Sequence, residues 1–382
     1  MKEKKKTLKV EKAIKARKKR KKRRIKRIGF LVFELLLFVF LVGAAFVVTK
    51  YGKFQKIAID EEDIGINDGI EDVEGYTTVV LFGGDSREGQ LGAGTHADTM
   101  IVVSIDNQTR ELRMASIYRD TLLQQKDMQY HKANHAYFHG GPEEALLLLN
   151  KNLDLNLTDY VTVDFKVLVD VVDLLGGIDL DVSQAEVDNI NDYLEETADV
   201  AGTKTEFLKE PGMQHLDGAQ TVTYARIRST GGGDYERTER QREVVETLLK
   251  KVLKTDVKTI NKIIDKVFGQ VSTSFSLKEI ISLASGVSKI KIGETTGFPF
   301  EVDDSQSYGN AGSVVIPIGL DKNVEHLHQF LYPKEKKEGV SDTVQEISDE
   351  ISYITGVVRP AEMDEEKAKD KENQDYEEIV VN

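Results

Sequence analysis

Arginines crowd around a glycine run in the stretch from Tyr224 to Val252, which reads YARIRSTGGGDYERTERQREVVETLLKKV. Arg226 and Arg228 sit two apart, a spacing that puts both on one face of an extended segment. Gly231 to Gly233 follow, and a helical pattern begins after Asp234, a fitting N-cap. Its apolar stripe runs through Val244, Val245, Leu248, Leu249 and Val252. At about 100° per residue, Arg237 and Gln241 continue that stripe upstream, while Arg240 and Arg242 fall to either side. Arg237 and Gln241 should therefore face a pocket. An inward arginine is costly unless an anion meets it. Two readings fit. The guanidinium groups grip a phosphate or pyrophosphate, or they form an ion-pair lattice with Asp234, Glu236, Glu239 and Glu243.

Three further segments put charge beside strand-like runs: Asp85 with Arg87, Asp98 within THADT, and Arg119 with Asp120 within YRDT. Two carboxylates from separate strand ends, Asp85 and Asp98, suit Mg²⁺, which takes one or two carboxylates plus phosphate oxygens. Turn capping is the plainer use of the same aspartates. Arg119 either joins the other arginines on an anion or pairs with Asp120. Lys132 is a further phosphate-directed cation. His131, His135 and His139 recur every fourth residue and fit a metal stripe on a helix, or the lining of a surface or pocket. There is no nucleophile elbow and no Walker lysine motif.

The elements that would position these groups alternate. Residues 77–82, 99–105, 112–117, 160–164 and 178–182 read as strands, and 142–152 and 165–175 as helices. That alternation argues an α/β layered sheet. Helical patterns at 257–268, 277–289 and 322–331 form a carboxy-terminal extension packed on the same domain. Residues 49–75 are polar and acidic and read as a stalk. From 333 the composition loosens, and 361–382 hold nine acids against three lysines, so residues 333–382 read as an acidic, disordered tail.

The 382 residues carry a net charge of −13, unevenly spread. Residues 1–27 hold 17 Lys or Arg against Glu3 and Glu11, leaving the remainder near −28. So acidic a remainder argues against nucleic acid as the partner. Residues 28–48 are apolar but for Glu34 and small residues, long enough to span a bilayer as a helix. The basic block before them sets the amino terminus inside and the rest outside; a cleaved signal peptide is the alternative. The basic block suits lipid headgroups better than a nucleic-acid arm. With no cysteine, disulfides and thiolate sites are excluded.

Taken in order, LFGGDSR, ADTMIVVSID, MASIYRDT, KANHAYFHGG, DYVTVDF, LDGAQTVTYARIRS and GDYERTERQ resemble the LytR–CpsA–Psr family of bacterial cell-envelope proteins, over roughly residues 77–250. The chain departs from the family pattern at His96, where a basic residue is usual, and at Tyr118, where proline is usual. The resemblance implies an α-β-α domain with a central mixed sheet over residues 76–254, outside the membrane, with an apolar pocket for a polyprenyl chain. It implies transfer of a glycopolymer from an undecaprenyl-pyrophosphate carrier onto peptidoglycan. On the matching positions, Asp85 and Asp98 would hold Mg²⁺, and Arg119, Arg226, Arg228, Arg237 and Gln241 the pyrophosphate. A hydrolase of the same lipid, or a non-catalytic binder of anionic wall polymer, are the alternatives.

Overall fold

Strands form where β-branched residues cluster. The computed structural model describes residues 49, 51–52, 59, 64–85, 91–228, 233–335 and 339–359. The chain divides into Met1–Lys53 and Phe54–Asn382, and the second unit carries the fold. The stretch read as a membrane span, 28–48, and the acidic end, 360–382, lie outside the described residues. Among the described residues no helix is long and apolar enough to cross a membrane.

Strands β1 (Tyr76–Gly84), β2 (Ala97–Asp106) and β3 (Glu111–Ile117) form an antiparallel meander. A short hairpin, β4 (Leu122–Gln124) and β5 (Tyr130–Lys132), follows β3. Helix α1 (Asn134–Leu153) bends at Gly141, whose φ of 66° breaks the helix just before Pro142. Strand β6 (Tyr160–Asp164) pairs parallel to β1, and α2 (Phe165–Leu174) leaves it with Asp164 as N-cap. A separate pair follows, β7 (Ile178–Val182) with β8 (Gly212–Leu216), with α3 (Gln184–Ala201) between them. Next come α4 (Gly218–Arg226), α5 (Gly233–Val252) and α6 (Val257–Val267). Strand β9 (Val271–Thr273) pairs with β6, α7 (Leu277–Gly286) follows, and β10 (Lys291–Phe298) pairs parallel to β3. The central sheet is thus mixed, six-stranded, in the order β10-β3-β2-β1-β6-β9.

Side chains alternate across that sheet as a two-residue period demands. Val80, Phe82, Met100, Val102 and Ile117 meet α1, α8 (Leu320–Leu331) and α9 (Asp342–Thr355) through Leu146, Leu149, Leu327 and Ile347. Val79, Ile101, Val103 and Met114 meet Val245, Leu249 and Ile280 from α5 and α7 on the other face. A second core joins α2, α3, α4 and the β7-β8 pair through Val172, Ile190, Leu216 and Tyr224.

Four expectations need correction. The extension after 254 is not an addition to a finished domain, because β9 and β10 supply both edges of the central sheet. The expected tail contains α9: Val344, Ile347 and Ile351 share its buried face, and the Ser341 side chain accepts from Val344 N–H as its cap. Acidic residues lie on its outer face, so composition alone hid an amphipathic helix. The stalk also ends early. Ile64 is fully buried and its carbonyl accepts from Asn150 at 3.0 Å; side chains of α1 hold this segment, not a periodic pattern of its own. Finally, Tyr224–Arg226 is helical, not extended. Asp217 and Gln220 form a reciprocal capping box that starts α4 and carries the helix to Arg226.

Candidate active site

The carboxyl ends of β1 and β3 and the amino end of β2 meet at one edge of the sheet. Gly83 pairs with Thr99 but Gly84 pairs with Ala97, so Asp98 is the extra residue of a bulge. A bulge bends its strand and re-aims the bulged side chain. Only glycine fits opposite it: a Cβ on Gly83 would lie 2.9 Å from the Thr99 Cβ. Asp85 follows, exposed, its backbone N–H donating to the His96 carbonyl at 3.0 Å. Past the end of β3, Arg119 donates to Asp98 Oδ1 at 2.7 Å.

Arg119 opens a network of charges. Asp98 Oδ2 lies 3.7 Å from Arg228 and 3.8 Å from Arg237. Asp120 lies 3.5 Å from Arg119 and 3.1 Å from Lys132. Asp234, in the first turn of α5, puts one oxygen, Oδ1, 3.0 Å from Arg237, 3.6 Å from Arg228 and 3.9 Å from Arg119. Helix α5 already includes Gly233, so Asp234 is not its cap; its carboxylate is turned to the arginines instead. Burial alone would lower the Arg119 pKa, but Asp98 and Asp120 outweigh it and raise it. Arg237 has a 3% exposed side chain, and burial together with neighbouring Arg119 lowers it to about 10. Burial opposes ionisation of Asp234, yet Arg237, a hydrogen bond to Asp120, Arg119 and Arg228 hold its carboxyl below the usual range. Several buried atoms of this network are still without a hydrogen bond among the described residues: Arg119 Nε, Arg237 Nε and Asp234 Oδ1. Buried polar atoms of this kind are rare and call for a partner.

The expected lattice with Asp234, Glu236 and Glu239 is present, and the arginines join it differently. Arg240, expected on the flank, is buried in a lattice: it meets Glu186 at 3.1 Å and Glu236 at 3.4 Å and donates to the Ile227 carbonyl at 2.8 Å. Arg242 is buried on the other flank, 4.0 Å from Glu239. Glu243 accepts from the Tyr224 hydroxyl at 2.7 Å. Arg119, Arg228 and Arg237 converge on one spot. Arg226 is not among them. It ends α4 and its guanidinium lies over the Phe165 ring, 4.8 Å from the centroid, because one helical turn carries it away from Arg228.

Gln241 faces inward, donating to the Ala225 carbonyl at 3.3 Å. It lines an almost wholly apolar cavity of about 170 Å³ between the sheet and α2 and α5, walled by Leu81, Ile101, Val161, Leu168, Val244 and Val245. Gly83 and Thr99, neighbours of the bulge, also line it. Charge and apolar wall thus adjoin on the same two strands and one helix.

The histidines do not form a chelate. His131 lies on β5 and His135 and His139 on α1; the His131 ring stacks on His135 at 3.8 Å between centroids, and His139 is tilted against His135 at 4.1 Å. Among the described residues no group of three His, Asp or Glu is arranged to hold a metal ion. Burial and neighbouring imidazoles lower His135 to about 4. His96, in the position where a cation is usual, stacks on Phe138 at 4.5 Å. For Asp234, expected as a cap or lattice acid, the i, i+3 spacing to Arg237 is the sequence signal for its place in this network.

The profile of the LytR–CpsA–Psr family matches residues 46–321. This chain belongs to that family. Among curated relatives it is 33% identical over 177 residues to polyisoprenyl-teichoic acid–peptidoglycan teichoic acid transferase TagV of Bacillus subtilis, covering 45% of this chain and 43% of TagV. It is 29% identical over 182 residues to regulatory protein MsrR of Staphylococcus aureus, covering 47% and 50%. The chain thus spans about half the length of the curated relatives it matches. Among solved structures, protein gbs0355 of Streptococcus agalactiae superposes with a TM-score of 0.57 at 25% identity, over 70% of this chain and 91% of that one. TagT with bound octaprenyl pyrophosphate lipid superposes with a TM-score of 0.50 at 18% identity, over 79% and 100%, a likeness of fold.

Proposed function

We propose that this chain is a phosphotransferase that moves an anionic glycopolymer from a polyprenyl pyrophosphate carrier, undecaprenyl pyrophosphate in the cell, onto peptidoglycan. Its domain would stand outside the cell membrane behind a single span at residues 28–48. One observation carries the reading: an apolar cavity adjoins three convergent guanidinium groups. A lipid pyrophosphate is the ligand that needs both. TagV, the curated relative, is named as a transferase of teichoic acid to peptidoglycan, and TagT has been solved with a polyprenyl pyrophosphate; both agree with it.

The chain's residues divide the work. The cavity holds the first part of the isoprenoid. Arg119, Arg228 and Arg237 neutralise the pyrophosphate, with Gln241 at the junction and Lys132 beyond Asp120. Arg226, over Phe165, is a further cation at the rim. The acceptor hydroxyl attacks the phosphorus that bears the glycopolymer, the bond to the bridging oxygen breaks, and polyprenyl phosphate leaves. Fixed cations aimed at that leaving charge lower the barrier without reorganising. Asp85 and Asp98 would be the two carboxylates that hold Mg²⁺, with phosphate oxygens completing its shell; Asp98 faces Arg119, Arg228 and Arg237 and would exchange one of them for the ion. When bound, Mg²⁺ would supply further neutralisation of the phosphates. Asp98 or Asp120 would take the acceptor proton; each is paired with a cation, Asp98 with Arg119 and Asp120 with Lys132.

A polyprenyl pyrophosphate carrying a photoreactive group on its first isoprene unit tests the placement. Labelling should fall on Leu168, Val244 or Val245, and Arg237→Ala should suppress it. Labelling spread over the surface, indifferent to Arg237, would reject the site.

A further inference from the structure

Asp234 occupies the seat that an anion would take, and occupies it badly. Its single oxygen Oδ1 faces three guanidinium groups, at 3.0, 3.6 and 3.9 Å. That same atom is buried yet lacks a hydrogen bond among the described residues, as do Arg119 Nε and Arg237 Nε. A well-made carboxylate–guanidinium pair is bidentate and near 2.8 Å. Three donors converging on one oxygen at these lengths are spaced for an anion with more oxygens than a carboxylate.

Asp98 contrasts with it. Asp98 sits in a strand, with a 16% exposed side chain, and takes a hydrogen bond of 2.7 Å from Arg119. Asp234 starts a helix directly after the glycine run, with a 33% exposed side chain. Of the carboxylates in the network, Asp234 is the one that can yield.

We propose that Asp234 is the specificity-determining residue of this site: it holds the guanidinium seat as an internal anion and yields it only to a ligand bearing at least two phosphates. The proposal rests on reading the cluster as a pyrophosphate site. Charge makes the selection. Arg119, Arg228, Arg237 and Lys132 are balanced by Asp98, Asp120 and Asp234 short of one charge. A singly charged phosphate ester that displaces Asp234 exchanges like for like and leaves a carboxylate without its cations. A pyrophosphate diester brings one negative charge on each phosphate, so its gain exceeds that loss. Phosphate diesters that carry a single charge are thereby turned away.

The test is binding of the methyl diester of farnesyl pyrophosphate, with one charge on each phosphate, and of a singly charged farnesyl phosphate methyl ester to the full chain in detergent, for wild type and Asp234→Asn. Wild type should prefer the pyrophosphate by at least about tenfold. Asp234→Asn should bind both more tightly, the single phosphate gaining more, so that the preference narrows; its ligand-free melting temperature should fall. Asp234→Glu, which restores a competing carboxylate, should restore the preference. If the Asn variant is recovered unfolded, Asp234→Ser takes its place. Weaker pyrophosphate binding by Asp234→Asn, or an unchanged preference, would overturn the proposal, since Asp234 would then support the site. Absence of binding by wild type and variants alike would instead remove the pyrophosphate reading beneath it.

Discussion

Arg237 does two jobs that usually separate. It bridges Asp98 and Asp234 while its side chain is 3% exposed, and it lies where a bound phosphate would sit. Bare guanidinium groups would repel one another in an empty site, and losing one would then relieve strain. The structure shows the opposite balance, because carboxylates already interleave them. Arg237→Ala should therefore cost stability as well as transfer, by roughly 3–5 kcal/mol if the buried acids are left uncompensated. Arg228, with a side chain 47% exposed, should behave differently. Arg228→Ala should leave melting nearly unchanged while transfer falls by about 10²–10³, the loss of one donor to developing charge. Equal melting losses for both would contradict this division. The inward aim of Arg237 and Gln241 was legible from helical period alone. The place of Arg226 was not, because the two-residue spacing to Arg228 suggests an extended segment while the Asp217–Gln220 capping box carries a helix to Arg226. His135 gives a pH signature. Burial, then His131 and His139, depress it to about 4 from an ordinary 6.5, so the fold holds it neutral where the unfolded chain binds a proton. Its contribution is present above 6.5 and is lost as pH falls towards 4. Melting followed over that range should show a shallower decline for His135→Gln than for wild type.

Gly83 and Gly84 show how an element is shaped for a site. The bulge at Asp98 needs the two strands to approach where a Cβ on Gly83 would sit 2.9 Å from Thr99. Gly83→Ala should destabilise by about 1–3 kcal/mol as an overpacked contact. It should also lower transfer in the molecules that stay folded, because the bulge aims Asp98 and lines the cavity. Full activity per folded molecule would show that the bulge is only structural. Strands β1, β2, β3 and β6 were readable because they are β-branched runs bounded by turn residues. Strand β9 has three residues and β10 carries two glycines, so neither announces itself. Their places at the sheet edges depend on pairing with residues more than a hundred positions away, which no local pattern encodes. Helix α9 was hidden by its acidic outer face.

At the scale of the chain, the charge division between residues 1–27 and the rest sets an expectation of its own. Protease added to intact spheroplasts should digest the bulk of the chain and spare residues 1–27; a protected carboxy-terminal domain would contradict the outward placement. The proposed reaction accords with membership of the LytR–CpsA–Psr family, the mixed sheet and the junction of cavity and arginines. Its measurement is direct. The full chain in detergent is incubated with a polyprenyl-pyrophosphate-linked glycopolymer, with and without a peptidoglycan fragment, and the products are resolved by mass spectrometry. The account expects a phosphodiester joining polymer to peptidoglycan, polyprenyl phosphate released in equal amount, and neither product without the acceptor or in Arg228→Ala. Release of polyprenyl phosphate at the same rate without the acceptor, with water taking its place, would contradict it.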